Sequence, residues 1–188
     1  MSQPLDFLLT RQSVPARMLG APYPDRDQIT ELLTAAARVP DHGKLEPWRF
    51  IVLSDVALSA LAAAITAAGP RLGMIPEKIA KAADTYHKSG AAVVVVSSPK
   101  HSDKVPAIEQ VYSAGAVCLS LVNAAQAAGW GANWLSGVYM HDADFSRDNL
   151  GLAPHETVAG VIHLGTPKGP VSDRPRPDIA ALTTWRDG

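Results

Sequence analysis

Apolar and polar positions follow patterns along the chain that predict helices separated by strands. Between Asp25 and Pro40 the apolar residues recur at the spacing of one helix face, and Gln28 stands three residues after Asp25 as in a capping box. Four more segments have the composition and flanking signals of helices: 55–68, 76–88, 105–129 and 143–150. The longest of them is interrupted by polar residues too often to span a membrane, which predicts a core helix.

Short apolar or β-branched runs between these helices predict the strands of a sheet. They are the segments 48–53, 91–97, 132–135 and 158–164. The second run contains four consecutive valines, so we expect it to be buried on both faces at the centre of the sheet. Strands separated by helices are typical of an α/β (α+β) fold, here a three-layer helix-sheet-helix sandwich. From Gly165 onward four prolines predict an extended tail, with Trp185 as its anchor.

Composition narrows the classes of protein that the chain can belong to. Its 188 residues fit one domain over 1–188, and 47% hydrophobic with 19% charged residues is typical of a globular protein. A formal net charge of -1 gives no reason to expect nucleic acid as a partner. The N-terminus lacks the pattern of an export signal, which predicts a cytoplasmic protein without a membrane partner. The single Cys118 lies in an apolar run and is interpreted as a buried, unreactive thiol.

Three separated runs carry the chemistry of a binding site. They are Arg11-Gln12-Ser13, the segment 38–50 that holds Arg38 and His42, and Trp134-Leu135-Ser136-Gly137. Together they offer cations and a hydroxyl at one end, and backbone amides and apolar walls at the other, which suits a flat cofactor with a phosphate tail. The first two runs also have structural interpretations, namely the solvated end of a first short helix that Arg11-Gln12-Ser13 terminates, and a loop histidine bonded to local backbone.

In order and spacing the three runs resemble those of the small single-domain members of the nitroreductase family, which bind FMN. The signature is Val39-Pro40-Asp41-His42 followed by Pro47-Trp48-Arg49-Phe50. The resemblance implies a nitroreductase-like α/β fold, a homodimer and non-covalent FMN. It also implies that the FMN phosphate is held by Arg11, Gln12 and Ser13.

The same resemblance assigns the other two runs. Arg38 and His42 would contact the flavin of the partner subunit, while Trp134, Leu135 and Ser136 would meet the ring and ribityl chain. Trp48 is interpreted as core packing. The family usually has arginine at the positions of Gln12 and Leu135. A cation that compensates for Leu135 is therefore expected from elsewhere, and Arg17, Arg174 and Arg176 are the candidates.

The implied reaction is a ping-pong transfer in which NAD(P)H reduces FMN and an electron-poor acceptor, such as a nitroaromatic or a quinone, is then reduced. Because the flavin carries the chemistry, we assign no catalytic side chain. Two alternatives stay open. The chain could use FMN for another redox reaction, or it could bind flavin with little turnover.

Other motifs do not explain the chain. The segment from Gly129 has Trp134 where a dinucleotide-binding fingerprint needs its third glycine, and His155-Glu156 lacks the second histidine of a zinc-hydrolase helix. The sequence also has no nucleophile elbow around a serine and no phosphate-binding loop. We therefore expect no metal site, and His141, His155 and His163 are left without a function.

Overall fold

The computed structural model describes residues 3–186, which contain seven α-helices and five strands. The helices are α1 (Gln3–Thr10), α2 (Arg26–Ala36), α3 (Asp55–Ala68), α4 (Pro76–His87), α5 (Ala107–Ala127), α6 (Ala143–Leu150) and α7 (Ile179–Leu182). The strands are β1 (Leu19–Gly20), β2 (Trp48–Ser54), β3 (Ala91–Ser97), β4 (Gly131–Leu135) and β5 (Thr157–Pro167). Every predicted helix and strand is present, with ends that differ by three residues at most.

All strand pairs of the sheet are antiparallel. The order is β1-β5-β3-β2, and β4 also pairs with β5. As predicted, β3 is central and buried along its whole length. A continuous valine run is more typical of parallel sheets, but the physical requirement is burial of both faces, and helices supply that here.

Helices cover the sheet on both sides and confirm the three-layer sandwich. Alternate residues of β3 point to opposite faces, so Val94 packs with α3, α4 and α6, whereas Val93 and Val95 pack with α2 and α5. The start of α2 also matches its prediction, because the Asp25 side chain accepts from the Gln28 backbone N–H and the Gln28 side chain accepts from the Asp25 N–H.

The long helix α5 is buried on one face only. Its inner face packs on the sheet, and there burial raises the pKa of the Cys118 thiol to about 12, as expected for an unreactive cysteine. Its outer face carries four exposed apolar side chains: Ile108, Val111, Tyr112 and Leu119. No helix in residues 3–186 is long and apolar enough to cross a membrane.

The tail follows its prediction in part. After β5 the chain runs without regular structure to α7, and every residue from 172 to 186 is exposed. The expected anchor is wrong for the single chain, because Trp185 is 80% exposed. An indole anchors a segment only where a surface lies beneath it, and in this region the chain provides none.

Candidate functional site

The first run, Arg11-Gln12-Ser13, lies at the C-terminal end of α5. Arg11 Nε donates to Gln126 Oε1 over 3.2 Å, and Arg11 Nη2 donates to Ser13 Oγ over 3.3 Å. The Gln126 amide in turn donates to the carbonyl of Gln12. These bonds fix the backbone of the run and hold the guanidinium beside the serine hydroxyl. Both groups suit a phosphate oxygen.

The C-terminal tail crosses this run and adds two more cations. Arg174 and Arg176 line the same pocket of about 120 Å³ as Arg11 and Ser13. Arg176 Nη2 donates to the carbonyl of Arg11 over 3.4 Å and to Asp173 Oδ1 over 2.6 Å. Asp173 is the one carboxylate among the lining residues, so the pocket keeps an excess of positive charge. Arg174 and Arg176, two of the three arginines predicted to compensate for Leu135, therefore lie at the first run, whereas no arginine among residues 3–186 lines the pocket that Leu135 borders.

The second run, segment 38–50, forms a tight loop at the other end of α5 and then enters β2 at Trp48. The Asp41 carboxylate accepts from the backbone N–H groups of Leu45 and Glu46, at 3.1 and 2.8 Å. Lys44 and Glu46 have positive φ angles of 54° and 47°, a conformation that these bonds stabilise. Asp41 thus has a structural task in the Pro-Asp-His motif.

The same loop is bound to α5 through Ser113. Ser113 Oγ donates to the carbonyl of Pro40 over 2.8 Å and accepts from Trp48 Nε1 over 3.2 Å. Trp48 also packs against the apolar cluster below α5, which confirms its predicted packing role. His42 Nδ1 lies 2.7 Å from Glu109 Oε2, and both side chains are largely exposed. Arg38 is exposed as well.

Arg49, within the same signature, ties β2 to the segment before β5. Its Nε and Nη2 atoms each donate over 2.7 Å to the Glu156 carboxylate. This two-bond pairing lowers the pKa of Glu156 to about 2. Neither residue has a predicted role. No local pattern indicates this ion pair, because the two positions are 107 residues apart.

The third run continues β4 into the following turn. The Trp134 indole covers Gly160 on β5 so closely that any Cβ there would collide with it, which explains the glycine. Ser136 Oγ lies 2.8 Å from His141 Nε2. Two cavities of about 500 and 510 Å³ flank the segment 135–141. One is bordered by the outer face of α5, and the other by α4.

The structure brings the first and third runs together. Val14, next to Ser13, donates its backbone N–H to the carbonyl of Ala132 over 3.0 Å, and the Asn133 side chain donates to the Val14 carbonyl over 2.9 Å. Asn133 and Gln126 are thus positioning residues that sequence reasoning missed. Nothing in the local sequence marks them, since amides in helices and strands are common.

The second run does not join the other two within one chain. His42 contacts α5 at Glu109, whereas Arg11 contacts it at Gln126. Seventeen residues of helix separate these contacts, or about 26 Å at 1.5 Å per residue. One chain therefore carries its candidate site residues in two groups at opposite ends of the same helix.

The unassigned histidines differ in their surroundings. His163 is fully buried in β5, bonded through Nδ1 to Ser89 Oγ at 2.9 Å, and burial lowers its pKa to about 4. His141 takes part in the third run through Ser136. Within residues 3–186 no three His, Cys, Asp or Glu side chains converge to form a metal site.

Comparison with known proteins supplies the context for this geometry. A family model described as the nitroreductase family matches residues 8–166. A Haemophilus influenzae protein named "Putative NAD(P)H nitroreductase" is 34% identical over 163 residues, which cover 86% of this chain and 87% of that protein.

Solved structures of similar fold include nitroreductases. A nitroreductase-like family protein from Bacillus cereus superposes with a TM-score of 0.81 at 20% identity, over 100% of this chain and 98% of that one. A Bacteroides fragilis nitroreductase with bound FMN superposes at 0.77 and 19% identity, over 99% of this chain and 100% of that one. At these identities the structural matches show a shared fold.

Proposed function

Because the chain belongs to the nitroreductase family, we propose that it is an FMN-dependent oxidoreductase that takes electrons from NAD(P)H and passes them to a small electron-poor acceptor. Nitroaromatic and quinone-like compounds are the acceptor classes that we propose. The observation that carries the proposal is the cationic pocket formed by Arg11, Arg174 and Arg176 with the hydroxyl of Ser13.

The residues present fit FMN at both ends of the cofactor. Three guanidinium groups, opposed by the single carboxylate of Asp173, suit a phosphate dianion. From this pocket β4 leads through Trp134 to Leu135 and Ser136, where cavities open on both sides. We assign Gln12 to the phosphate end, because Gln126 donates to its carbonyl and so fixes the backbone between Arg11 and Ser13.

A homodimer completes the site in this proposal. The exposed apolar residues of α5 form a stripe with Gly115 at its middle, where a Cβ added to the glycine would meet no neighbouring side chain or strand within 4 Å. Such a stripe packs well on a second copy of itself about a two-fold axis. In antiparallel packing, Arg38 and His42 of the partner subunit would lie near Arg11.

When bound, FMN supplies the redox chemistry by accepting hydride from NAD(P)H and giving electrons to the acceptor, which we propose to bind in turn. The side chains then have three tasks. The arginines hold the phosphate, Trp134 packs over Gly160 and keeps β4 in place, and the paired helices α5 shield the site from water. None of these tasks requires an acid or a base, which agrees with the assignment of no catalytic side chain.

A flavin protein with another redox reaction, or with little turnover, is the second candidate. Gln12 and Leu135 favour it, since both lack the charge that the family usually has there. Steady-state oxidation of NAD(P)H with and without 4-nitrobenzamide separates the two functions. Turnover that depends on the acceptor supports the proposal, and bound flavin without turnover supports the alternative.

The cofactor itself is tested on purified protein. We expect a flavin absorbance spectrum, release of the flavin by acid, and one FMN per chain by chromatography. Colourless protein that takes up no added FMN would contradict the proposed function.

A further inference from the structure

A groove beside the third run carries positive charge that the proposed cofactor does not neutralise. One wall is formed by Lys78 and Lys81 of α4, and the opposite wall by the segment 135–139. Its volume is about 510 Å³, within the range of small-molecule sites. We call it the α4 groove.

The α4 groove is cationic although the chain as a whole is slightly acidic. No acidic side chain is among its lining residues, while the formal net charge of the chain is -1. Lys78 and Lys81 are three residues apart, so they lie on the same side of α4. Neither lysine forms an ion pair with any side chain of residues 3–186. By contrast, Lys88 at the end of the same helix is paired with Asp84 at 2.8 Å.

The rest of the groove is apolar, with hydroxyl groups between. Ile75 and Val138 are exposed in it by 54% and 51%, and the hydroxyls are those of Thr85 and Ser136. An apolar surface beside two unpaired cations is complementary to an organic anion, such as a ring compound with a carboxylate.

The phosphate of FMN is already matched by other cations. Arg11, Arg174 and Arg176 lie at the start of β4, whereas the α4 groove opens at its end beside Leu135. The charge on Lys78 and Lys81 is therefore available to a second ligand. A dinucleotide would need an aromatic platform for its adenine, and no exposed aromatic side chain lines this groove.

We propose that the α4 groove selects acidic acceptors, with Lys78 and Lys81 binding the carboxylate of an aromatic substrate beside the cofactor. This inference rests on the proposed function and names the substrate class of that site. Both lysines act as specificity residues, and neither takes part in electron transfer.

The test compares two acceptors of nearly equal shape, 4-nitrobenzoate and the neutral 4-nitrobenzamide, with FMN-loaded enzyme. For the unmodified protein we expect a KM about tenfold lower for the benzoate, with similar kcat, and a preference that weakens as salt increases. In the Lys78→Gln/Lys81→Gln double variant the two KM values should become equal. FMN content and the melting temperature should stay unchanged, because both side chains are exposed.

Lys88→Gln is the matched control, since it removes the same charge at the end of the same helix but outside the groove. It should leave the preference for the benzoate intact. The charge-reversed Lys78→Glu/Lys81→Glu variant should prefer the benzamide.

Three outcomes would overturn the inference. Equal KM values in the unmodified enzyme show that the groove does not select anions. A rise in KM for NADPH alone assigns the lysines to the nucleotide, and a loss of FMN affinity assigns them to the cofactor. If 4-nitrobenzamide is still turned over in any of these outcomes, the proposed oxidoreductase function is retained and only the inference about the α4 groove fails.

Discussion

The two ends of helix α5 differ in what they offer to a ligand. At the C-terminal end, Arg11 is bound to Gln126 and joined by two arginines of the tail in a pocket. At the N-terminal end, His42 is paired with Glu109 and both side chains are largely exposed, as is Arg38 four residues earlier in the chain. The first end is a pocket with an excess of positive charge, whereas the second is a pocket of about 330 Å³ in which Glu109 offsets His42. This difference supports the proposal that Arg38 and His42 serve the site of a second chain.

The largest expected effect comes from keeping two chains apart. Leu119→Glu places a carboxylate on the exposed stripe of α5, and its burial against a partner would cost several kcal/mol. We expect light scattering to show one chain instead of two, and FMN affinity to fall by more than a hundredfold. Val56→Glu is the control, because Val56 is also apolar and exposed but lies on α3. A Leu119→Glu monomer that keeps its FMN would show that one chain suffices.

The next effect concerns the C-terminal end alone. Arg11→Ala should weaken FMN binding by about 1.5–3 kcal/mol, the range of a hydrogen bond to a charged group. Calorimetric titration with FMN and with riboflavin measures it, because riboflavin lacks the phosphate. Riboflavin affinity should hardly change. Equal losses for both ligands would assign Arg11 to the fold through its bond with Gln126.

A smaller effect, about 1 kcal/mol in FMN binding, is expected for His42→Ala at the N-terminal end. This variant is most informative when its chains are mixed with those of a second variant. When Arg11→Ala chains and His42→Ala chains are combined, a mixed dimer has one site with both defects and one intact site. FMN titration should therefore recover a high-affinity site for half of the chains in mixed dimers. If both residues served the same chain's site, no intact site would appear.

The smallest effect is expected from Glu109→Gln. The His42–Glu109 pair is exposed on both sides, so its loss should change the free energy of unfolding by about 1 kcal/mol at most. Urea unfolding measures the change in the free energy of unfolding, and FMN titration measures the change in cofactor affinity. A larger loss of FMN affinity than in His42→Ala would mean that Glu109 acts on the cofactor directly, with His42 as its support.

The sequence predicted the elements of this fold well because most of them carry their own signals. Asp25 and Gln28 mark the start of α2, and the valines of β3 mark the centre of the sheet. Strand β1 was missed since two residues have no periodicity, and α7 since four residues form a single turn. The antiparallel direction of the strands depends on long-range pairing that no local pattern encodes.

The sequence predicts a set of candidate site residues, which stays a prediction, but not their arrangement. Motifs identified Arg11, His42 and Trp134, yet their distribution over the two ends of α5 follows from tertiary packing. Lys78 and Lys81 gave no signal, because exposed lysines on a helix are ordinary. Trp185 shows the opposite error, since an isolated aromatic residue predicts an anchor but its own chain offers no surface.

If the two groups of site residues at opposite ends of α5 combine across a dimer, as proposed, assembly has a thermodynamic consequence. A ligand that binds only the paired state stabilises that state by mass action, by about 2.7 kcal/mol when its concentration is a hundred times its Kd. FMN would then act as an assembly factor as well as a redox group, and dilution of the protein would release it. Cofactor supply and protein concentration would together set how much of the enzyme is active.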